Sequence, residues 1–232
     1  KNLKEHDGRL LARWRQGEAA HPGKLEDYAF YAWGLLELYG ATFRIDLLEE
    51  AHTLARLLLE LFFDAEQGGF YPYGKDGEQL ITRTKEVYDG AMPSGNAVAA
   101  LVISQLARLT GEERWRKAAD IQFSYLAGAV RRYPAGHSFT LLALLGELWP
   151  TAELVCAAEK LPEALSAFLR EKPRPGLTVL VKTAADADRL AALAPFTAEY
   201  PIPPTGARYY LCRGKACASP VETIEELQSV VS

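Results

Sequence analysis

"NAVAALVISQLARLTG", Asn96–Gly111, is apolar nearly all round, and its reading decides the fold. A helix of this kind is buried on several sides. Gly111 suits its C-terminal end. "EERWRKAADIQFSYLAGAV" follows, with charges opposite an apolar stripe, the pattern of a helix with one face in water. The same order occurs earlier in the chain. "LEDYAFYAWGLLELYG", Leu25–Gly40, is a first mostly apolar helix with Gly40 placed to end it. "RIDLLEEAHTLARLLLELFF" is its amphipathic partner, with one stripe of Ile45, Leu48, Ala51, Leu54, Ala55 and Leu58. A shift of 68 residues superposes the two pairs without a gap, placing Tyr28 on Asn96, Ala32 on Ala100, Leu38 on Leu106 and Ala51 on Ala119. A third, partial copy starts near His137 with "HSFTLLALLGELWP" and stops at Pro150.

A buried helix followed by an amphipathic one cannot cover its own apolar surface, so such pairs stack side by side. The buried helices then form an inner row and the amphipathic ones an outer row. The expected architecture is mainly α: part of an α/α toroid or open superhelix, about two and a half hairpins, over 1–150. Between the first two pairs, "DAEQGGFYPYG" reads as a loop or short hairpin and "QLITRT" as a possible strand. After Pro150 the texture changes. "TAELVCAA", "GLTVLVKTA" and "ARYYLCRG" are strand-like, alternating with helical "PEALSAFLRE", "DADRLAALAP" (Asp186 as N-cap) and "TIEELQSVV". Residues 151–232 are therefore expected to form a small α/β subdomain with a sheet of about three strands.

The composition fits a globular protein: 49% hydrophobic, 24% charged, net charge −4. No basic footprint suggests nucleic acid, and no stretch reaches the roughly 18 uncharged apolar residues of a membrane span. The only Met is Met92 and the chain starts at Lys1, which is expected of a piece of a longer protein. Three cysteines, Cys156, Cys212 and Cys217, without a secretory signal point to a reducing cytoplasm. "CRGKAC" has neither redox CxxC spacing nor a second Cys/His pair for zinc. Its cysteines read as structural or incidental, with a disulfide or metal role as the alternative. No metal or cofactor is expected.

Three stretches open the inner helices: "GKLEDYAF", "AMPSGNAV" and "YPAGHSFT". In a toroid these N-termini face one end of the ring, where free backbone N–H groups favour a polar or anionic ligand. Asp27, Asp89 and His137 are the acid–base candidates there. Glu26, Tyr28, Lys85, Tyr88, Ser94 and Asn96 are candidates for holding substrate, with Arg83, Tyr71 and Tyr73 close by. Carboxylates, amides, a histidine and aromatic faces are the equipment that holds a sugar, and a paired acid and base would serve proton transfer at carbon. Each residue also has a plainer reading. Asp27 and Ser94 cap helices, Glu26 meets a helix dipole, Asn96 bonds within the core, Asp89 makes a turn, and Lys85 and Arg83 are paired loop charges. Trp33 reads as core. GxSxG, HExxH, P-loop and Rossmann signatures are absent from the sequence.

"GKLEDYAFYAWGLLELYGAT", "FFDAEQGGFY", "KEVYDGAMPSGNAVAALVISQLARLTG" and "YYLCRGKACASPVETIEEL", in that order, resemble the C-terminal part of the YyaL family, also called spermatogenesis-associated protein 20-like or thioredoxin domain-containing proteins. The resemblance runs from about Leu10 to the end and is most specific at "LEDYAF" and "DGAMPSGNAVAA". It implies an N-terminal thioredoxin-like domain and the first half of a six-hairpin α/α toroid, neither present in this chain. It also implies likeness to N-acylglucosamine 2-epimerase and a sugar-like ligand, with an isomerase- or epimerase-type reaction. The alternative is a non-catalytic binding or scaffold domain that serves the thioredoxin-like part. Epimerases of that kind use inner-helix histidines. Of the four histidines here, only His137 stands at an inner-helix mouth.

Overall fold

The computed structural model describes residues 2–77, 83–214 and 216–231. "QLITRT" therefore falls largely outside the described residues. The chain opens with an antiparallel hairpin, β1 (Leu11–Arg15) and β2 (Glu18–Pro22), which the sequence reading did not single out. Five helices follow: α1 (Leu25–Thr42), α2 (Ile45–Leu61), α3 (Gly95–Thr110), α4 (Glu113–Arg132) and α5 (Ser138–Leu148). α3 packs between α1 and α5, with α2 against α1 and α4 against α3. The repeated pairs are thus neighbours in space as well as in sequence.

α3 is the enclosed element. Thirteen of its sixteen residues are buried, which is why its sequence has no polar face. Ser94 caps its start, accepting the Ala97 N–H on Oγ at 3.2 Å, and Gly111 ends it with a left-handed φ of 69°. α2 buries the whole stripe expected of it, from Ile45 to Leu58. Gly40 does not end α1. The helix runs on to Thr42, and Phe43 takes the left-handed position instead. Its ring packs edge-on to Tyr39, with ring centroids 5.9 Å apart, and lies against both cores, so tertiary packing overrides the preference for glycine there.

Past α5 the chain forms β3 (Ala152–Ala158), α6 (Glu163–Glu171), β4 (Leu177–Thr183), α7 (Ala187–Leu193), β5 (Ala207–Arg213), β6 (Ala216–Cys217) and α8 (Ile224–Val231). The described residues form a four-stranded sheet in the order β4-β3-β5-β6, with β3 parallel to β4 and antiparallel to β5. Alternation along the strands gives the sheet two apolar faces. Val155 and Leu180 point into the helical core, joined by Leu190 and Ala194. Leu154, Cys156, Val181, Tyr209 and Leu211 point the other way, onto α6 and α8 through Leu165, Phe168 and Leu227. The sheet is the shared wall of two cores. Cys156 lies in the second, where burial pushes its thiol up to about 12 and keeps it protonated. Asp186 stands at the N-cap position of α7, but its carboxylate bonds to Thr183 and Arg189 rather than capping.

Cys212 and Cys217 form a disulfide, so the structural-or-incidental reading of "CRGKAC" gives way to its alternative. Pairing of Arg213 with Ala216 sets the two cysteines directly opposite across β5 and β6. That register is invisible in the spacing alone. The closed loop is short, and chain entropy assigns it about 2 kcal/mol. The double variant Cys212→Ser/Cys217→Ser should lose no more than that in urea unfolding and keep its helical circular dichroism.

Candidate functional site

The mouth of α3 is built on Asp89. This residue is buried, and its carboxylate accepts three backbone N–H groups: Ser94 at 2.8 Å on one oxygen, Phe139 at 2.9 Å and Thr140 at 3.1 Å on the other. Phe139 and Thr140 lie in the first turn of α5. One acid therefore takes up free N–H groups there and also fixes the residue that caps α3. The Asp89 N–H donates to the Gly136 carbonyl at 2.8 Å, closing the join between the two helix starts.

Asn96, fully buried, is used up in the same way. Its amide donates to the carbonyls of Phe70 (2.9 Å) and Glu86 (2.8 Å), and its Oδ1 accepts from the Phe70 N–H (2.7 Å) and Gln122 Nε2 (3.1 Å). Gln122, also fully buried, accepts the Gly69 N–H at 2.9 Å and donates to the Asn96 carbonyl at 3.1 Å. Two amides thereby latch the "GGF" loop onto α3 and α4. Gly69 has a φ of 83°, and a β-carbon there would lie 2.6 Å from Tyr125 Cε1, so the loop needs glycine at that point.

Lys85 closes the far side of the loop. Its ammonium donates to Asp64 Oδ2 at 2.7 Å and to the Gly68 carbonyl at 2.6 Å, and lies over the rings of Tyr71 and Tyr125. Asp64 also accepts from the Glu66 and Gln67 N–H groups and the Tyr71 hydroxyl. The bond from Lys85, then the backbone bonds, hold the Asp64 carboxyl well below the usual carboxylate range. Arg83 stacks on Tyr71 at 4.1 Å and donates to the Tyr73 carbonyl at 2.6 Å.

The remaining candidates are placed as follows. Tyr28 is in the core rather than at the mouth: its hydroxyl accepts the Leu10 N–H at 2.8 Å and its ring packs on Phe62. Asp27 is exposed and accepts the Lys24 N–H at 2.8 Å, as a residue in the first turn does. Glu26 lies at the α1–α3 contact, where a β-carbon on Gly95 would come within 3.2 Å of its Oε1. His137 is buried, with Nδ1–H donating to the Val87 carbonyl at 2.8 Å, which leaves the neutral ring's lone pair on Nε2. Tyr88 is 53% exposed, edge-on to His137 with centroids 6.4 Å apart, and Tyr133, 56% exposed, meets it where a β-carbon on Gly136 would stand, 2.6 Å from Tyr133 Cδ1 and 2.7 Å from Tyr88 Cε2. Trp33 packs edge-on to Phe139.

Asp89, Ser94, Tyr88 and His137 thus share one place, with Glu26, from the first turn of α1, beside the start of α3. Asn96 and Lys85 belong to the loop latch, and Tyr28 to the core. Sequence reading missed Asp64, Gln122 and Tyr133. Gln122 had left a signal: it falls on the buried stripe of α4 with Trp115, Ala118, Ala119 and Leu126. Among the described residues no group of three or more His, Cys, Asp or Glu is placed to hold a metal ion, and no helix is long and apolar enough to cross a membrane.

The fold defines a class: a mainly α protein of stacked helical hairpins followed by a small α/β unit. Over most of its length the chain is homologous to spermatogenesis-associated protein 20. It is 29% identical to the Rattus norvegicus protein over 213 residues, covering 90% of this chain and 27% of the relative. Against the Homo sapiens protein it is 28% identical over 248 residues, with 100% and 32% covered. The Mus musculus protein is 28% identical over 213 residues, with 90% and 27% covered. The chain spans about a third of the length of these curated relatives. No protein-family model matches it.

Two outcomes follow from this geometry. Asp89→Ala strands three N–H groups and should cost roughly 2–4 kcal/mol in chemical unfolding, against about 1 kcal/mol for Ser94→Ala. The folded-state pKa of Asp64 lies below its unfolded value of about 3.9. Its contribution is therefore complete above that pH and is lost as pH falls through the folded pKa. The stability gap between the native protein and Lys85→Met should accordingly be widest near neutral pH and shrink on acidification below about pH 4.

Proposed function

We propose that this chain is part of a larger stack of helical hairpins that acts as a binding scaffold, with the polar residues at the helix mouths building the stack rather than moving protons. The observation that carries this reading is Asp89, whose two oxygens are both engaged by backbone donors. A general base must bring a lone pair to the substrate, whereas this buried carboxylate already has three of its roughly four acceptor sites taken by backbone. Ser94 and Asn96 are engaged likewise. Support for a larger stack comes from α5, which exposes Leu141, Leu142, Leu145 and Leu148 along one side, with Trp149 just past its end. α1 exposes Tyr31 and Leu38. Both helices are edges of the α1–α3–α5 row, and the curated relatives are about three times longer than this chain. The occupant of these edges, in this reading, is further helical hairpins of the longer protein, which together would form the toroid, with a thioredoxin-like domain as the part served.

A second reading keeps a sugar-like ligand at the helix mouths, and one observation favours it. Tyr88 and Tyr133, both more than half exposed, bring their rings together at the spot a side chain on Gly136 would fill, beside His137. Aromatic faces with a nearby histidine suit the apolar side of a sugar ring. An isomerase or epimerase reaction would then need His137 Nε2 as its base.

Thermal shifts with a panel of neutral sugars and sugar phosphates separate the two. The scaffold reading expects no saturable shift and a lowered melting temperature for Ser94→Ala and Asn96→Ala. A saturable shift that Tyr88→Ala abolishes without lowering the melting temperature would replace it with the sugar-binding reading.

A further inference from the structure

The disulfide between Cys212 and Cys217 stands at the outer edge of the sheet, on a strand that is held without it. β5 is paired with β3 along its length and bridged to Val221 through Tyr209. The loop that the bond closes is short, so the bond removes little freedom from the unfolded chain. Cys217 and the residues on either side of it, Ala216 and Ala218, are exposed. A disulfide that contributes little to the fold and lies open to solvent is placed to exchange rather than to staple.

The two sulfurs are not equivalent. Cys212 is half-buried, and the Tyr200 hydroxyl stands 3.8 Å from its Sγ. A disulfide sulfur carries no hydrogen, so the hydroxyl is the donor. Burial pushes the Tyr200 hydroxyl up from its ordinary value, and it keeps its proton at neutral pH. Tyr200 is itself held in place. Its ring packs on Tyr210 with centroids 4.4 Å apart, and its carbonyl accepts from Lys182 Nζ at 2.8 Å. An incoming thiolate thus finds access at Cys217, and the departing thiolate forms on Cys212, where a hydroxyl is placed to receive its charge. No thiol of this chain is placed to attack. The third cysteine, Cys156, lies on the other face of the sheet from Cys212, buried under α6 and α8 with its thiol protonated.

We propose that Cys212 and Cys217 are a reversible redox pair whose partner is a protein dithiol. The partner's thiolate attacks Cys217 Sγ. The Cys212–Cys217 bond breaks, and its electron pair leaves on Cys212 Sγ, which takes a proton from water. The partner's second thiolate then attacks its own sulfur in the mixed disulfide, and Cys217 leaves as a thiolate and is protonated in turn. The partner ends as a disulfide and this chain as two thiols, two electrons and two protons having passed between them. The pair is remote from the helix mouths, so it stands whichever reading of those is right.

Reduced thioredoxin, regenerated by its reductase and NADPH, is the probe dithiol. The native chain consumes one equivalent of NADPH per disulfide and keeps its helical circular dichroism throughout. A thioredoxin whose second active-site cysteine is replaced by serine becomes trapped on the chain. Alkylation and peptide mass spectrometry then find it on Cys217, with the alkyl label on Cys212. Tyr200→Phe slows reduction by about threefold or more with its urea midpoint unchanged, a separation that a purely structural role of the ring would not give. Three results overturn the proposal. One is a bond that resists thioredoxin while insulin is reduced in the same assay. Another is reduction that occurs only once the chain has unfolded. The third is trapping on Cys212 together with an unchanged rate in Tyr200→Phe.

Discussion

Three backbone N–H groups converge on the carboxylate of Asp89, and the mutual placement of α3 and α5 depends on them. The constraint behind this is the enclosure of α3. A helix walled in by α1, α4 and α5 cannot send the polar groups of its first turn to water, so the protein must satisfy them internally. Ser94 supplies one acceptor from the chain itself. Asp89 fixes the backbone just before the helix and spends its second oxygen on the start of the next inner helix. Asn96 and Gln122 satisfy each other and the loop that covers them. The apolar run and the polar knot at its mouth are two consequences of one burial.

This explains which features the sequence made legible. α3 was readable because total burial leaves a local trace, an apolar run with Ser94 before it and Gly111 after it. The repeat was readable because each hairpin solves the same packing problem. The role of Asp89 was not, because its partners in α5 lie 50 and 51 residues away and backbone donors carry no residue-type signature. The Asp64–Lys85 lock spans 21 residues across a loop with no period to betray it. Gly40 misled because glycine is the common helix terminator, whereas here the packing of Phe43 sets the end and Gly40 stands inside the helix. The disulfide needed the β5–β6 register, which the six letters "CRGKAC" do not contain.

The sheet contributes something the helical repeat cannot. By giving Val155 and Leu180 to one core and Leu154, Cys156 and Val181 to the other, it welds the α/β unit to the hairpins. A flat-sided sheet and the ends of cylindrical helices do not fill space together, and the gap is lined by whatever each element carries at its margin. Arg108, Glu147 and Ser104 form one closed polar group there. Arg174 and Gln105 do not close, although an apolar residue of similar volume at either position would fill the wall without a desolvation cost.

Residue type alone does not say which polar groups are already satisfied. At the helix mouths the residues look catalytic: acid, amide, hydroxyl, lysine. Counting lone pairs and protons leaves Asn96 with nothing to offer a substrate, since both sites on its oxygen and both amide protons are engaged, and leaves the buried Asp89 carboxylate with three of its roughly four acceptor sites taken. At the α/β junction the residues look incidental, yet Tyr39, Gln105 and Arg174 each keep a buried polar atom without a partner, as Thr140 Oγ1 does at the mouth of α5. Capping and ligand binding draw on the same side chains, because both satisfy stranded polar groups. What distinguishes them is whether the protein has already satisfied those groups itself.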